Sequence, residues 1–153
     1  MKLSRKSDYA LRALTTLAAE PGRTISIREL AERNDVPRRF LEHIMLELKA
    51  KGIVRSVAGR IGGFELAMAP EHITMGRIVR IFEEMLAPIA CVSATHYEPC
   101  TQEKWCRFRR VLLDIRTYTA RRMEEANLAI LATTPPVQNK EVFNVQYVAG
   151  DGI

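Results

Sequence analysis

Ala10, Ala13, Leu14, Leu17 and Ala18 recur at helical spacing and Pro21-Gly22 ends the run, which predicts an opening amphipathic helix of about four turns. Ser26-Ile27-Arg28-Glu29 has the form of a capping box, in which a hydroxyl and a carboxylate satisfy the orphan amides at a helix start. A short second helix follows, with Leu30 and Ala31 inward. The pattern breaks at Asn34-Asp35 and resumes at Val36-Pro37, where proline suits a first helical turn because its missing N–H is not needed there. Phe40, Leu41, Ile44, Met45 and Leu48 then mark a third helix running to Gly52.

The period next changes from helical to alternating. Ile53-Val54-Arg55-Ser56-Val57 reads as a strand, Ala58-Gly59-Arg60-Ile61-Gly62-Gly63 as a glycine-rich turn and Phe64-Glu65-Leu66 as the returning strand. Two short helices joined by a tight polar turn and followed by a hairpin predict a winged helix-turn-helix, whose second motif helix enters the major groove of DNA.

Thr74 can cap a further helix through Ile78, Val79, Ile81 and Phe82 that ends near Pro88. From Lys104 to Ala132 the pattern is helical again, with Phe108, Val111, Leu112, Ile115, Tyr118, Thr119, Met123, Ala126 and Ile130 on one side. Such a helix would be roughly 40 Å long. So small a body cannot cover it, so its apolar stripe is expected to pack on the same helix of a second subunit. Beyond Thr133-Thr134-Pro135-Pro136 the tail is expected to be extended, with Val142-Phe143-Asn144-Val145 against the partner. The expected fold is mainly α with a small β-hairpin wing, a winged helix-turn-helix plus a long dimerisation helix. It divides into a DNA-binding domain at 1–86, a cysteine loop at 87–106, the dimerisation helix at 107–133 and the tail at 134–153.

Charge sharpens this picture. Residues 1–70 hold 13 Lys/Arg against 8 Asp/Glu and residues 71–153 hold 10 against 10, so the net charge of +5 is all N-terminal. A basic half is the footprint of a polyanion binder, and double-stranded DNA is the partner that fits the motif. No stretch is apolar enough for a signal peptide or a membrane span, so a cytoplasmic location is expected. No nucleophile-base pair, phosphate loop or pair of carboxylates suggests an enzyme. Gly59-x-x-Gly62-Gly63 lies between two strands rather than opening a helix, so it is not a nucleotide motif.

Arg38 and Arg39, at the start of the third helix, can reach guanine edges or phosphates. His43 lies on the same face one turn on, and Arg28 joins this DNA-binding set from the second helix. Arg60 at the wing tip suits a narrow minor groove, where the negative potential attracts a guanidinium. Glu42 would repel phosphate but can accept from the amino group of cytosine, which points to specificity.

Cys91, Cys100 and Cys106 are the only cysteines and fall in one 16-residue window. Three thiols confined to one polar loop are better explained as ligands or a redox switch than as core. Their spacing is too open for the paired knuckles of structural zinc sites, and an odd number leaves one thiol over in a disulfide scaffold. Two alternatives stay open: zinc held by Cys91, His96, Cys100 and Cys106, and a switch in which two thiols oxidise to a disulfide.

Met1-Lys2-Leu3-Ser4 opening into a helix, Val36-Pro37-Arg38-Arg39-Phe40-Leu41-Glu42, the Gly59-Arg60-Ile61-Gly62-Gly63-Phe64 wing and three cysteines before a long helix together carry a resemblance. Over residues 1 to 133 the chain resembles the bacterial iron-sulfur-dependent repressor family that includes IscR, NsrR and RirA. The resemblance implies a homodimer on a palindromic operator, with the three cysteines holding a cluster whose state sets DNA affinity. The eight residues between Cys91 and Cys100 exceed the spacing of the IscR and NsrR types. The histidine that completes a two-iron cluster in the IscR type is replaced by Arg109, whereas the aspartate of the NsrR type has a counterpart in Asp8. The resemblance therefore favours four irons over two, with Asp8 reaching the loop of the other subunit.

Overall fold

The computed structural model describes residues 2–59 and 62–143. Helix α1 (Arg5–Ala19) starts at Ser4, whose hydroxyl accepts from the Ser7 amide at 3.3 Å. It buries Ala10, Ala13, Leu14, Leu17 and Ala18, the stripe expected from the sequence. In α2 (Ile27–Asn34) the Ser26 hydroxyl accepts from the Glu29 amide at 3.2 Å. Glu29 does not return the favour. Its carboxylate pairs with Arg23 at 2.8 Å and Arg33 at 3.3 Å, so only half of the capping box forms.

The turn into α3 (Arg38–Ala50) runs through Asp35 in the left-handed region, at φ 51°, which a short polar side chain tolerates. Asn34 anchors this turn by donating to the Leu30 carbonyl at 2.8 Å and accepting from Thr16 of α1 at 3.0 Å. α3 buries Leu41, Ile44, Met45 and Leu48 against α1 and α2.

Strands β1 (Val54–Val57) and β2 (Gly63–Leu66) pair antiparallel, with Val54 opposite Leu66. Ile25 forms an isolated bridge to β2, exchanging two backbone hydrogen bonds with Phe64 at 2.9 and 3.1 Å. Gly63 permits that approach, because a Cβ there would lie 2.3 Å from the Ile25 carbonyl oxygen. The expected wing is thus present, while Arg60 at its tip lies outside the described residues.

Helix α4 (Met75–Phe82) is capped by Thr74, as expected, through the Arg77 amide at 3.0 Å. Glu83, at its C-terminal end, accepts from the Ser4 amide at 2.7 Å and from the buried Ser7 hydroxyl. These bonds place a carboxylate at the positive end of α1.

The C-terminal half departs from expectation. The single helix expected from Lys104 to Ala132 is two: α5 (Arg109–Glu125), about 25 Å long, and α6 (Leu128–Thr133). Asn127 breaks the run, its side chain capping the Ile130 amide at 3.0 Å. Its backbone bridges back to Thr74, and Met75 N donates to Ala126 O at 2.7 Å while Leu128 N donates to Ile73 O at 2.9 Å. α6 therefore returns to α1 and puts fully buried Leu128 into the core of the first domain. The tail is also not wholly extended, since Asn139–Phe143 form a one-turn helix, α7. The segment expected to pack on a partner, 142–145, lies partly outside the described residues.

Leu128→Ala is expected to cost about 2–5 kcal/mol of unfolding free energy, read by urea denaturation. A loss no larger than that of an exposed α6 position such as Ile130 would contradict the docking of α6. Glu83 supplies a pH test. Burial pushes its carboxyl up, but the bonds from Ser7 and Ser4 outweigh this and hold it below the ordinary value. A depressed acid stabilises at neutral pH and loses that contribution as pH falls through its lowered value. The urea midpoint of Glu83→Gln should lie below wild type at neutral pH and converge on it below the carboxylate range. A constant gap would contradict the account.

Candidate nucleic-acid interface and cysteine loop

With its apolar face in the core, α3 presents Arg38, Arg39, His43, Leu46 and Lys49 outward. Arg39, His43 and Leu46 are spaced by four and three residues and so share one face. Lys49 donates to Ser56 Oγ at 2.6 Å, tying the end of the helix to the wing. Arg28 of α2 and Arg38 line one shallow cleft at the helix-turn-helix junction, so the structure brings these two candidates together. Glu42 accepts from Arg38 Nε at 3.0 Å. In this arrangement Glu42 aims a guanidinium, a contact that their spacing of four residues would have signalled. Leu46 and Lys49 were missed because an exposed leucine and an unpaired-looking lysine carry no sequence signature.

Cys91 is buried in a 3-10 turn, Ala90–Val92, packed with Ala87 against Leu112 and Leu113 of α5. Together with half-buried Cys106 it lines a cleft of about 440 Å3 rimmed by Tyr97, Arg109, Arg110 and Arg116. Cys100 is exposed and lies outside that lining. All three are free thiols.

Glu103 organises the loop. It accepts from the Tyr97 hydroxyl at 2.9 Å and the Cys100 amide at 3.2 Å, and it pairs with Arg109 at 3.4 Å. The Tyr97 bond, with smaller help from the other two, holds Glu103 below the ordinary carboxylate value and raises the Tyr97 phenol above its own. Arg109 also donates to the Cys91 carbonyl through Nη2 at 2.8 Å and Nε at 3.3 Å. Arg109 thus pins both ends of the loop. Neither Glu103 nor this role of Arg109 was visible in the sequence, because both depend on how the loop folds.

His96 belongs to a different cavity, which Cys91 and Cys106 do not line. Asp8 is held by Arg12 in a fork, Oδ2 to Nη2 at 2.7 Å and Oδ1 to Nε at 3.0 Å. Arg12 also reaches the Asn34 carbonyl at 3.4 Å, at the helix-turn-helix turn. Among the described residues no three His, Cys, Asp or Glu side chains stand together as a metal site. The donor chemistry nonetheless fits an iron-sulfur cluster: thiolates are its usual ligands, and three arginines rim the cleft of Cys91 and Cys106. Of the three thiols, only Cys91 and Cys106 line that cleft.

Phe108, just before α5, and Val111, Ile115 and Tyr118 on its outer face are exposed at alternating steps of three and four residues. That is the spacing of a seam between two helices. No described helix is long and apolar enough to cross a membrane.

The family model described as an iron-dependent transcriptional regulator, Rrf2, matches residues 3–134. An rrf2-like HTH-type transcriptional regulator of Rhodobacter capsulatus is 39% identical over 120 residues, 74% of this chain and 80% of that one. The HTH-type transcriptional regulator NsrR of Bacillus subtilis is 35% identical over 113 residues, 73% and 77% of the two chains. Among solved structures, the oxidised form of Staphylococcus aureus CymR superposes with a TM-score of 0.69 at 28% identity, covering 90% of this chain and all of that one. With this match, a helix-turn-helix and wing on the basic half, and three cysteines in the loop before α5, the chain belongs to the Rrf2 family of transcriptional regulators.

Proposed function

We propose that this protein is a dimeric repressor that reads a palindromic operator and whose affinity is set by an iron-sulfur cluster on the cysteine loop. The observation that carries the proposal is the shared cleft of Cys91 and Cys106 under three arginines, one of which also binds the Cys91 carbonyl. Cys91, Cys100 and Cys106 would hold the cluster, with Asp8 from the other subunit as fourth ligand and four irons favoured over two. When bound, the cluster supplies a redox-active and chemically labile centre, and a hard carboxylate ligand makes one corner open to nitric oxide, oxygen or iron loss.

The chain's own residues connect that corner to DNA. While paired with Arg12, Asp8 leaves the guanidinium against the Asn34 carbonyl, where α2 turns toward α3. Drawing Asp8 away changes what Arg12 holds, and Arg12 holds the turn. Reading of DNA falls to Arg39, His43 and Leu46 at base edges, and to Arg28, Arg38 and Lys49 at phosphates, with Glu42 fixing Arg38. Arg60 extends the contact through the wing. The exposed stripe of α5 supports a second copy of the chain as partner, which spaces two recognition helices about one DNA turn apart.

A second reading is a thiol switch in which Cys91 and Cys106 oxidise. The shared cleft favours it, as does CymR, a member of the same fold solved in an oxidised form. Zinc in a Cys3His set is less well supported, because His96 lines another cavity.

Anaerobic reconstitution followed by iron and sulfide counts separates these readings. Brown protein with about four irons per chain, diminished in Asp8→Ala and abolished in Cys106→Ala, supports the four-iron reading. A count near two points to another fourth ligand, and colourless protein leaves zinc or thiol control. For the DNA face, duplexes selected by the protein from a randomised pool should be inverted repeats. Arg39→Ala should weaken binding to them by about 1–3 kcal/mol, while Lys49→Ala should chiefly lower the salt dependence. Unchanged affinity in Arg39→Ala would overturn the assignment of the α3 face.

A further inference from the structure

Arg116 is anomalous. Its Nε is screened from solvent and has no hydrogen-bond partner among the described residues, a state native folds rarely leave unanswered. Its neighbours explain where a partner could enter. Arg116 lines two cavities, the cysteine cleft and a second one of about 540 Å3 between α4 and α5, and Ser93 is the other residue common to both. The second cavity is walled by Ile81, Phe82, Leu86, Ala87 and Ala120, and its volume falls within the range of about 300–1,000 Å3 typical of sites for small organic molecules.

The other charges around this cavity are largely engaged. Arg80 is paired with Glu124. Glu83 is taken by Ser4 and Ser7. Apart from Glu84 and His96, which line it as solvent-exposed residues, what is left is a predominantly apolar chamber with one guanidinium whose buried N–H lacks an acceptor. A phosphate or a dicarboxylate would need a second cation, whereas a single carboxylate on a hydrocarbon body matches both features.

We infer that the cavity between α4 and α5 binds a small monocarboxylate with an apolar body, its carboxylate on Arg116 and its hydrocarbon against Ile81, Phe82 and Ala120. Such a molecule bridges the DNA-binding domain, through α4, to α5 and to the loop segment from Ser93 to His96 that also lines the cavity. It also engages an arginine that the cysteine cleft shares. The site is thus a second input, and it stands whether or not the cysteines hold a cluster.

The test uses hexanoate as probe and hexanamide as its uncharged match, titrated calorimetrically into the full-length protein as isolated. Hexanoate should bind about tenfold or more tightly than hexanamide, because the charged acceptor is what the buried donor lacks. Arg116→Met keeps most of the side-chain volume and should bring hexanoate down to the level of the amide. Ala120→Phe leaves Arg116 in place but fills the chamber, and should abolish both. Circular dichroism and thermal melts of the two variants establish that they are folded. Equal binding of acid and amide, hexanoate binding that survives Arg116→Met, or no binding by folded wild type would each overturn the inference.

Discussion

Two backbone hydrogen bonds, Met75 N to Ala126 O and Leu128 N to Ile73 O, fix the relation between the two halves of this molecule. They return the chain to the helix-turn-helix domain after α5 and set Leu128 into the same core as Leu41 and Ile44 of α3. Everything between Glu83 and Ala126 is consequently an excursion held at both ends: by Glu83 on Ser4 and Ser7 at its start, and by the Asn127 break at its finish. Glu124 reinforces the clamp, accepting from Thr74 at 2.8 Å and pairing with Arg80. The cysteine loop lies inside this excursion. A change in the loop that shifts α5 is therefore felt by α4 and, through the shared core, by the recognition helix, since close-packed interiors transmit displacement rather than absorb it.

Electrostatics distributes the work differently from packing. The excess positive charge sits on the half that carries α2, α3 and the wing, and much of it is oriented by acids rather than left loose, as with Glu42 on Arg38 and Glu65 on Arg55. Exposed pairs of this kind contribute only about 0–1 kcal/mol to stability. Their value is in presenting guanidinium groups in fixed directions. Around the cysteines the logic inverts: Arg109, Arg110 and Arg116 surround a cleft lined by two thiols, an environment suited to negative sulfur ligands. Asp8 and Arg12 form their own pair close to the turn that sets α3.

The α1 stripe, the capped starts at Ser26 and Thr74, the α2–α3 turn and the wing were all legible in the sequence, because each rests on local periodicity or on a residue with a single conformational use. The long helix was misread for a physical reason. Apolar residues continue at helical spacing through Ala126 and Ile130, so periodicity runs straight across a break that Asn127 makes by capping, and only the core shows that α6 folds back. The candidate site was legible as a set of residue types and not as an arrangement. Cys91, Cys100 and Cys106 are conspicuous in the chain, but their different burial, the hub at Glu103 and the double role of Arg109 arise from contacts between residues up to 18 positions apart in a loop without periodicity. Asp8 was singled out by resemblance, and its fork with Arg12 came from a helical spacing of four that the sequence did display.

The account rests on the claim that the state of the cysteine loop is read out at the DNA face. Operator affinity, measured anaerobically on the same preparation before and after removal of the proposed cluster, tests that claim most directly. A change of about tenfold or more, absent in Asp8→Ala, is the predicted result. Equal affinity of the loaded and cluster-free protein would contradict it, leaving a DNA-binding protein whose cysteines do not govern its operator.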